Sequence, residues 1–169
     1  METQINVLSK VKQETILDKA TLFHGNNMEA LSKLADNSID SVVTDPPYGI
    51  SYLNNTWDIQ VPTIEFWKEV YRVLKPGGHC LILEFSNPKN FPMKQLYAFY
   101  SKFCLPVLGK LISKDPAAYT YLPESVQAFP DGHDFLKIYQ ECGFIDTKWI
   151  PMTGGICSIY LGHKKPKNA

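Results

Sequence analysis

Residues 41–49 read Ser41-Val42-Val43-Thr44-Asp45-Pro46-Pro47-Tyr48-Gly49, and the strand and turn they spell order the rest of the chain. Val42 and Val43 are β-branched and apolar, which suits a buried strand. Pro46 and Pro47 lack the amide N–H that a central strand needs, so the strand stops at Asp45. The turn then holds a carboxylate and an aromatic ring where a strand leaves a sheet, the place where ligands sit in open α/β sheets. Such a turn suits an exocyclic amino group on a flat ring. Asp45 and the carbonyl beside Pro46 accept from the –NH2 while Tyr48 stacks on the ring. The same residues also make a good tight turn with no chemistry attached.

Around this turn the chain alternates strand and helix. Thr21-Leu22-Phe23 reads as a short strand ending at His24-Gly25, and Met28, Leu31 and Leu34 recur at helical spacing. A loop from Pro46 to about Pro62, rich in Asn, Tyr and Trp, either faces a substrate or packs Tyr52 and Trp57 over the sheet edge. Residues 63–75 predict a helix capped by Thr63, with Phe66, Trp67, Val70, Val73 and Leu74 on its apolar face. Pro76-Gly77-Gly78 ends it. Residues 80–85 predict the next buried strand, so that strand, helix and strand form a right-handed βαβ unit. Residues 92–112 predict an aromatic-rich helix with Tyr97, Phe99, Tyr100 and Phe103, either walling an apolar pocket or facing the core. A further helix is expected over 132–142, then an antiparallel pair near 148–150 and 156–161. The basic tail from His163 is expected to be solvated.

The length of 169 residues suffices for one domain with a core. Lys plus Arg and Asp plus Glu are 17 each; this balance weighs against a protein that grips a phosphate backbone. Cys80, Cys104, Cys142 and Cys157 show no CxxC spacing, so no zinc site is expected and reduced cysteines of a cytoplasmic protein are. No stretch resembles a signal peptide or reaches membrane-spanning length.

Asp45-Pro46-Pro47-Tyr48 resembles the catalytic motif of amino-group DNA methyltransferases, which methylate adenine N6 or cytosine N4 with S-adenosylmethionine. The likeness extends over roughly 20–79, through Leu22-Phe23-His24-Gly25, Asn37-Ser38-Ile39-Asp40, Trp57-Asp58 and Arg72-Val73-Leu74-Lys75-Pro76-Gly77-Gly78. Over roughly 70–164 the chain instead resembles the C-terminal half of menaquinone and ubiquinone C-methyltransferases. The blocks that carry this are Leu83-Glu84-Phe85-Ser86-Asn87-Pro88, Leu105-Pro106-Val107-Leu108-Gly109-Lys110, Tyr119-Thr120-Tyr121-Leu122-Pro123-Glu124-Ser125, Cys142-Gly143-Phe144 and Thr153-Gly154-Gly155-Ile156.

The first resemblance implies that Asp45, Pro46, Pro47 and Tyr48 are catalytic, with Tyr48 stacking on a base flipped from DNA. Together the two imply a cofactor site for S-adenosylmethionine at His24, Gly25, Asn26, Asn27 and Asp45. Both families commonly carry Asp after His-Gly, where this chain has Asn26, and both use a Gly-rich turn that this sequence lacks.

The expected fold is α/β: a partial Rossmann-like methyltransferase sheet, with parallel strands near 21–24, 41–45 and 80–85 and a C-terminal antiparallel pair. A polar lead-in (1–19) precedes a single methyltransferase-like domain (20–164) whose two resemblances meet near 70–80, and a basic tail follows (165–169). An exposed sheet edge predicts a homodimer or instability. The leading functional expectation is amino-group methylation of a DNA base. The alternatives are C-methylation of a prenylated quinone of the demethylmenaquinone type, and a non-catalytic fragment.

Overall fold

The structure is a computed structural model, and it describes residues 12–17, 20–47, 61–107, 126 and 129–167. In chain order these form β1 (Lys12–Leu17), β2 (Ala20–His24), α1 (Asn27–Ser32), β3 (Ile39–Thr44), α2 (Ile64–Val73) and β4 (Leu74–Phe85). Then follow α3 (Met93–Phe99), a π-helical turn (Tyr100–Cys104), α4 (His133–Glu141), β5 (Ile145–Met152), a 3-10 turn (Thr153–Gly155) and β6 (Cys157–His163). The class is α/β, as expected. The four-stranded sheet runs β3-β4-β6-β5, with β3 parallel to β4 and the other neighbours antiparallel.

α2 forms because its apolar residues repeat at helical spacing: Phe66, Trp67, Val70 and Val73 are all buried. It stops at Val73, two residues before the expected Lys75. Pro76 disfavours helical backbone in the residue before it, and Leu74 is already extended. β4 therefore starts earlier than expected and runs through Pro76-Gly77-Gly78. The register with β3 jumps there, from Ile39 opposite Leu74 to Ser41 opposite His79. Gly78 has to be glycine: a Cβ would lie 2.8 Å from the Asp40 carbonyl oxygen and 2.9 Å from that of Lys75.

Register places Val42, Cys80 and Gly162, then Thr44, Ile82, Tyr160 and Trp149, on the helix-covered face of the sheet. α2 and α4 close that face with an aromatic cluster. Trp67 meets Phe135 edge-on at 5.3 Å, and Tyr139 stacks on Phe144 at 4.6 Å. The opposite face carries Val43, Leu83, Phe85 and Ile150, all exposed. Val43, read as buried from its type, is 73% exposed because among the described elements the helices cover only the other face of the sheet.

Two further expectations change. The strand at 21–24 is not a parallel member of the main sheet. It pairs antiparallel with β1 in a separate hairpin, inside a stretch expected as lead-in, because a short connection gives the two strands a local partner. Lys164, assigned to a solvated tail, instead donates from Nζ to the Tyr71 and Arg72 carbonyls (2.8 and 3.1 Å) and so caps α2. The antiparallel pair and the helix near 132–142 form close to where they were expected.

Candidate functional site

β3 ends at Thr44 and the chain leaves the sheet through Asp45, exposed, Pro46, buried, and Pro47, half-buried. Tyr48 lies outside the described residues. His24 ends β2 and Gly25 follows it, both exposed. Asn26 is committed locally: its Oδ1 accepts from the Met28 N–H at 2.8 Å and caps α1. A polar side chain that can cap a helix wins that role over reaching outward. Asn27 and Pro47 come together as walls of a nook of about 170 Å³, with Met28, Val61, Pro62, Thr63 and Phe66. The structure thus unites two of the expected site residues, one from each turn. Among the described lining residues, His24, Gly25, Asn26, Asp45 and Pro46 do not appear.

Arg72 holds α1 at this place. Its guanidinium donates to the Leu31 and Leu34 carbonyls (2.9 and 3.0 Å) and pairs with Asp36 and Glu69. Glu69 and then Asp36 raise its already high pKa. The Leu34 carbonyl just past α1 thereby gains a donor from α2, and the Leu31 carbonyl, which also accepts from the Leu34 N–H at 3.0 Å, gains a second. Beside it Lys75 pairs with Asp40 at 2.7 Å and holds that exposed carboxyl below its ordinary value.

A second region follows the end of β4. Ser86 Oγ donates to the Gly155 carbonyl and lies 2.9 Å from Ser158 Oγ, which also accepts from Trp149 Nε1 at 2.8 Å. Tyr160 OH donates to Asp131 Oδ1 (3.1 Å) and accepts from the Gly132 N–H (2.7 Å), while Lys89 pairs with Asp131. Burial pushes the Tyr160 hydroxyl up to about 12, so it stays a neutral donor. This network shapes a cavity of about 310 Å³ whose walls include Ser86, Asn87, Lys89, Trp149 and Gly155. Across Asn87 and Pro88 lies another of about 400 Å³, lined by Lys94, Tyr97, Ala98, Ser101 and Lys102.

Apart from Tyr97, none of these residues was among the sequence candidates for a site or pocket. Ser86 and Asn87 lay in a matched block without a role, and Trp149, Tyr160 and Asp131 carried no signal. An indole wall with hydroxyl and amide groups at the rim suits a flat ring bearing oxygens. Of the aromatics expected to wall a pocket from residues 92–112, Tyr97 does. Phe99, Tyr100 and Phe103 are exposed instead.

Residues 5–164 match the ubiE/COQ5 methyltransferase family. Over 155 residues the chain is 40% identical to demethylmenaquinone methyltransferase of Bacteroides fragilis, covering 92% of this chain and 59% of that protein. Against the protein of the same name from Geobacillus kaustophilus it is 37% identical over 149 residues, covering 88% and 59%. The chain therefore spans about 59% of the length of these curated relatives. Among solved structures, phosphoethanolamine N-methyltransferase 2 of Haemonchus contortus superposes with a TM-score of 0.44 at 14% identity, covering 78% of this chain and 34% of that one.

Proposed function

The chain belongs to the ubiE/COQ5 methyltransferase family, and from that premise we propose that it serves the S-adenosylmethionine-dependent C-methylation of a prenylated quinone of the demethylmenaquinone type. The observation that carries this is the 40% identity to a demethylmenaquinone methyltransferase across 92% of the chain. The family match also runs through residues 70–80, where the two sequence resemblances met. The finding thus favours the quinone alternative over the leading expectation of a DNA base.

In this reading Trp149 walls the 310 Å³ cavity, the Asn87 amide and the Lys89 ammonium are the donors offered to the ring oxygens, and Ser86, committed to the Gly155 carbonyl, positions that wall. That volume falls within the range of about 300–1,000 Å³ usual for sites that bury a small ligand. For the cofactor the fit is partial. The nook between α1 and Pro47, about 170 Å³, is one wall of a nucleoside-sized site, and the sequence has no E/D-x-G-x-G turn. Asn27 and Pro47 would bound that wall, and the group would supply the electrophilic methyl.

The test is methyl incorporation from labelled S-adenosylmethionine into demethylmenaquinone and, in parallel, into unmethylated DNA, with calorimetric titration of the cofactor. Labelled quinone with unlabelled DNA is expected. Labelled DNA that Asp45→Ala abolishes would restore the amino-group reading. No cofactor binding at millimolar concentration would leave the non-catalytic reading.

A further inference from the structure

We propose that the 400 Å³ cavity along the helical segment 93–107 is a binding site for a small organic phosphate, whose phosphoryl group Lys94 and Lys102 hold. Lys94, Tyr97, Ala98, Ser101 and Lys102 line it at i, i+3, i+4, i+7 and i+8, the spacing of one helix face. Asn87 and Pro88, just past β4, complete the wall. Pro88 is buried and packs on the 3-10 turn, where a Cβ at Gly155 would lie 3.3 Å from its Cα. That part of the wall is therefore held in place.

The charge on the cavity is one-sided. Residues 85–107 hold Lys89, Lys94 and Lys102 and no Asp or Glu, in a chain whose formal net charge is zero. Lys89 is paired with Asp131 at 3.0 Å and lines the neighbouring cavity. Among the described residues Lys94 and Lys102 have no carboxylate partner. The Lys102 ammonium lies 5.6 Å from the Phe103 ring, a contact that leaves its charge uncancelled. Two ammoniums on one wall repel each other until an anion comes between them. Ala98 stands between them in sequence and projects only a methyl, which leaves room there.

The donors select the class of anion. A planar carboxylate is matched best by the fork of an arginine, and the described lining has none. A lysine acts as a point charge with three donors and suits the several oxygens of a phosphoryl group. The Ser101 hydroxyl, the Tyr97 phenol and the Asn87 amide add further donors. A volume of about 400 Å³ is far more than a bare phosphate fills, so an organic body fits against Tyr97, Ala98 and Pro88. A neutral quinone leaves both lysines uncompensated. So does S-adenosylmethionine, whose sulfonium and ammonium outweigh its one carboxylate. The site is thus separate from both, and it does not depend on the quinone reading.

The test is calorimetric titration of the full chain with phenyl phosphate, inorganic phosphate and benzoate, at low and high salt. Phenyl phosphate is expected to bind at millimolar concentration or below, more tightly than the other two, and to weaken as salt rises. Lys94→Ala/Lys102→Ala should bind it at least roughly tenfold more weakly, since hydrogen bonds to charged groups are lost. Both side chains are exposed, so circular dichroism and melting temperature should stay as they were. Ala98→Leu keeps both charges but fills the space between them, and should lose phenyl phosphate while keeping weak binding of inorganic phosphate. Lys137→Ala, on α4 and paired with Asp134, is the control and should change nothing. No binding of phenyl phosphate at millimolar concentration would overturn the proposal. So would binding that Ala98→Leu leaves intact, which would reduce the two lysines to ordinary surface charge. Benzoate bound as tightly as phenyl phosphate would overturn the choice of phosphate. Single-stranded DNA that binds where phenyl phosphate does not would assign the lysines to a nucleic-acid backbone instead.

Discussion

Arg72 sits 27% exposed between α1 and α2 and serves two carbonyls and two carboxylates at once. Arg72→Ala removes the side-chain donor from the Leu34 carbonyl and one of the donors to Leu31, which keeps the Leu34 N–H at 3.0 Å, and frees α1 from α2, so a loss of about 1.5–3 kcal/mol is expected in urea unfolding. Arg72→Lys should recover less than half of it, because a single ammonium cannot span the fork. Four other side chains set a pH limit. Burial raises the Cys80 and Cys142 thiols from 9.0 to about 11 and the Tyr160 hydroxyl from 10.0 to about 12, and raises Tyr139 further. A group raised on folding adds stability that is complete below its unfolded value and is lost as pH climbs to the folded one. Urea midpoints should therefore be flat to about pH 9 and fall between 9 and 11. Lys164 acts the other way: burial lowers its pKa, so its neutralisation returns some stability below 10.5. One group against four leaves the net slope downward. A midpoint that rises from pH 9 to 11 would contradict the burial of these groups.

α4 approaches the sheet closely enough that β6 needs a glycine under it. A Cβ at Gly162 would lie 2.7 Å from Tyr139 Cδ2, and the ring is held by Phe135 and Phe144 on either side. Gly162→Ala should thus cost about 1–3 kcal/mol as overpacking. The Tyr139 hydroxyl itself is buried without a hydrogen bond, with the Cys80 and Cys142 thiols near it. Tyr139→Phe is expected to leave stability unchanged or raise it by up to about 1 kcal/mol in the same urea assay. α2, β3 and the β5–β6 pair were legible in the sequence because each pattern is local: a 3.6-residue repeat, a β-branched run stopped by proline, an alternation. The partner of β2 was not, since a strand pattern says nothing of what it pairs with. The outward turn of Phe99 and Phe103 was hidden for a similar reason, because a helical stripe reads alike toward core or solvent. Asn27 and Pro47, expected from turns adjacent to strand ends, come to line one nook. Ser86, Trp149 and Ser158 were missed because they meet only across strand pairings that no spacing encodes.

The half-covered sheet gives the whole molecule its behaviour in solution. Val43, Leu83, Phe85 and Ile150 lie on one face by register and are 73%, 52%, 43% and 41% exposed. Among the described strands β3 pairs only with β4, so it stands at the edge of the described sheet beside the most exposed of these side chains. An apolar face that meets an unpaired edge favours strand addition from another chain. Charge, the usual guard, is absent from the middle of β3, where Ser41-Val42-Val43-Thr44 carries none. The purified chain is therefore expected to associate as its concentration rises, read as mass by light scattering. Val43→Lys puts an ammonium at the centre of the edge strand and should shift the mass toward one copy, with little loss of stability since the side chain is solvated. Phe99→Ser/Phe103→Ser, on the other side of the fold's chemistry, should leave the association as it was. A constant single-copy mass for the wild type would mean that the bare face is tolerated as it stands. Association abolished by the phenylalanine pair and untouched by Val43→Lys would move the self-contact from the sheet to the helix.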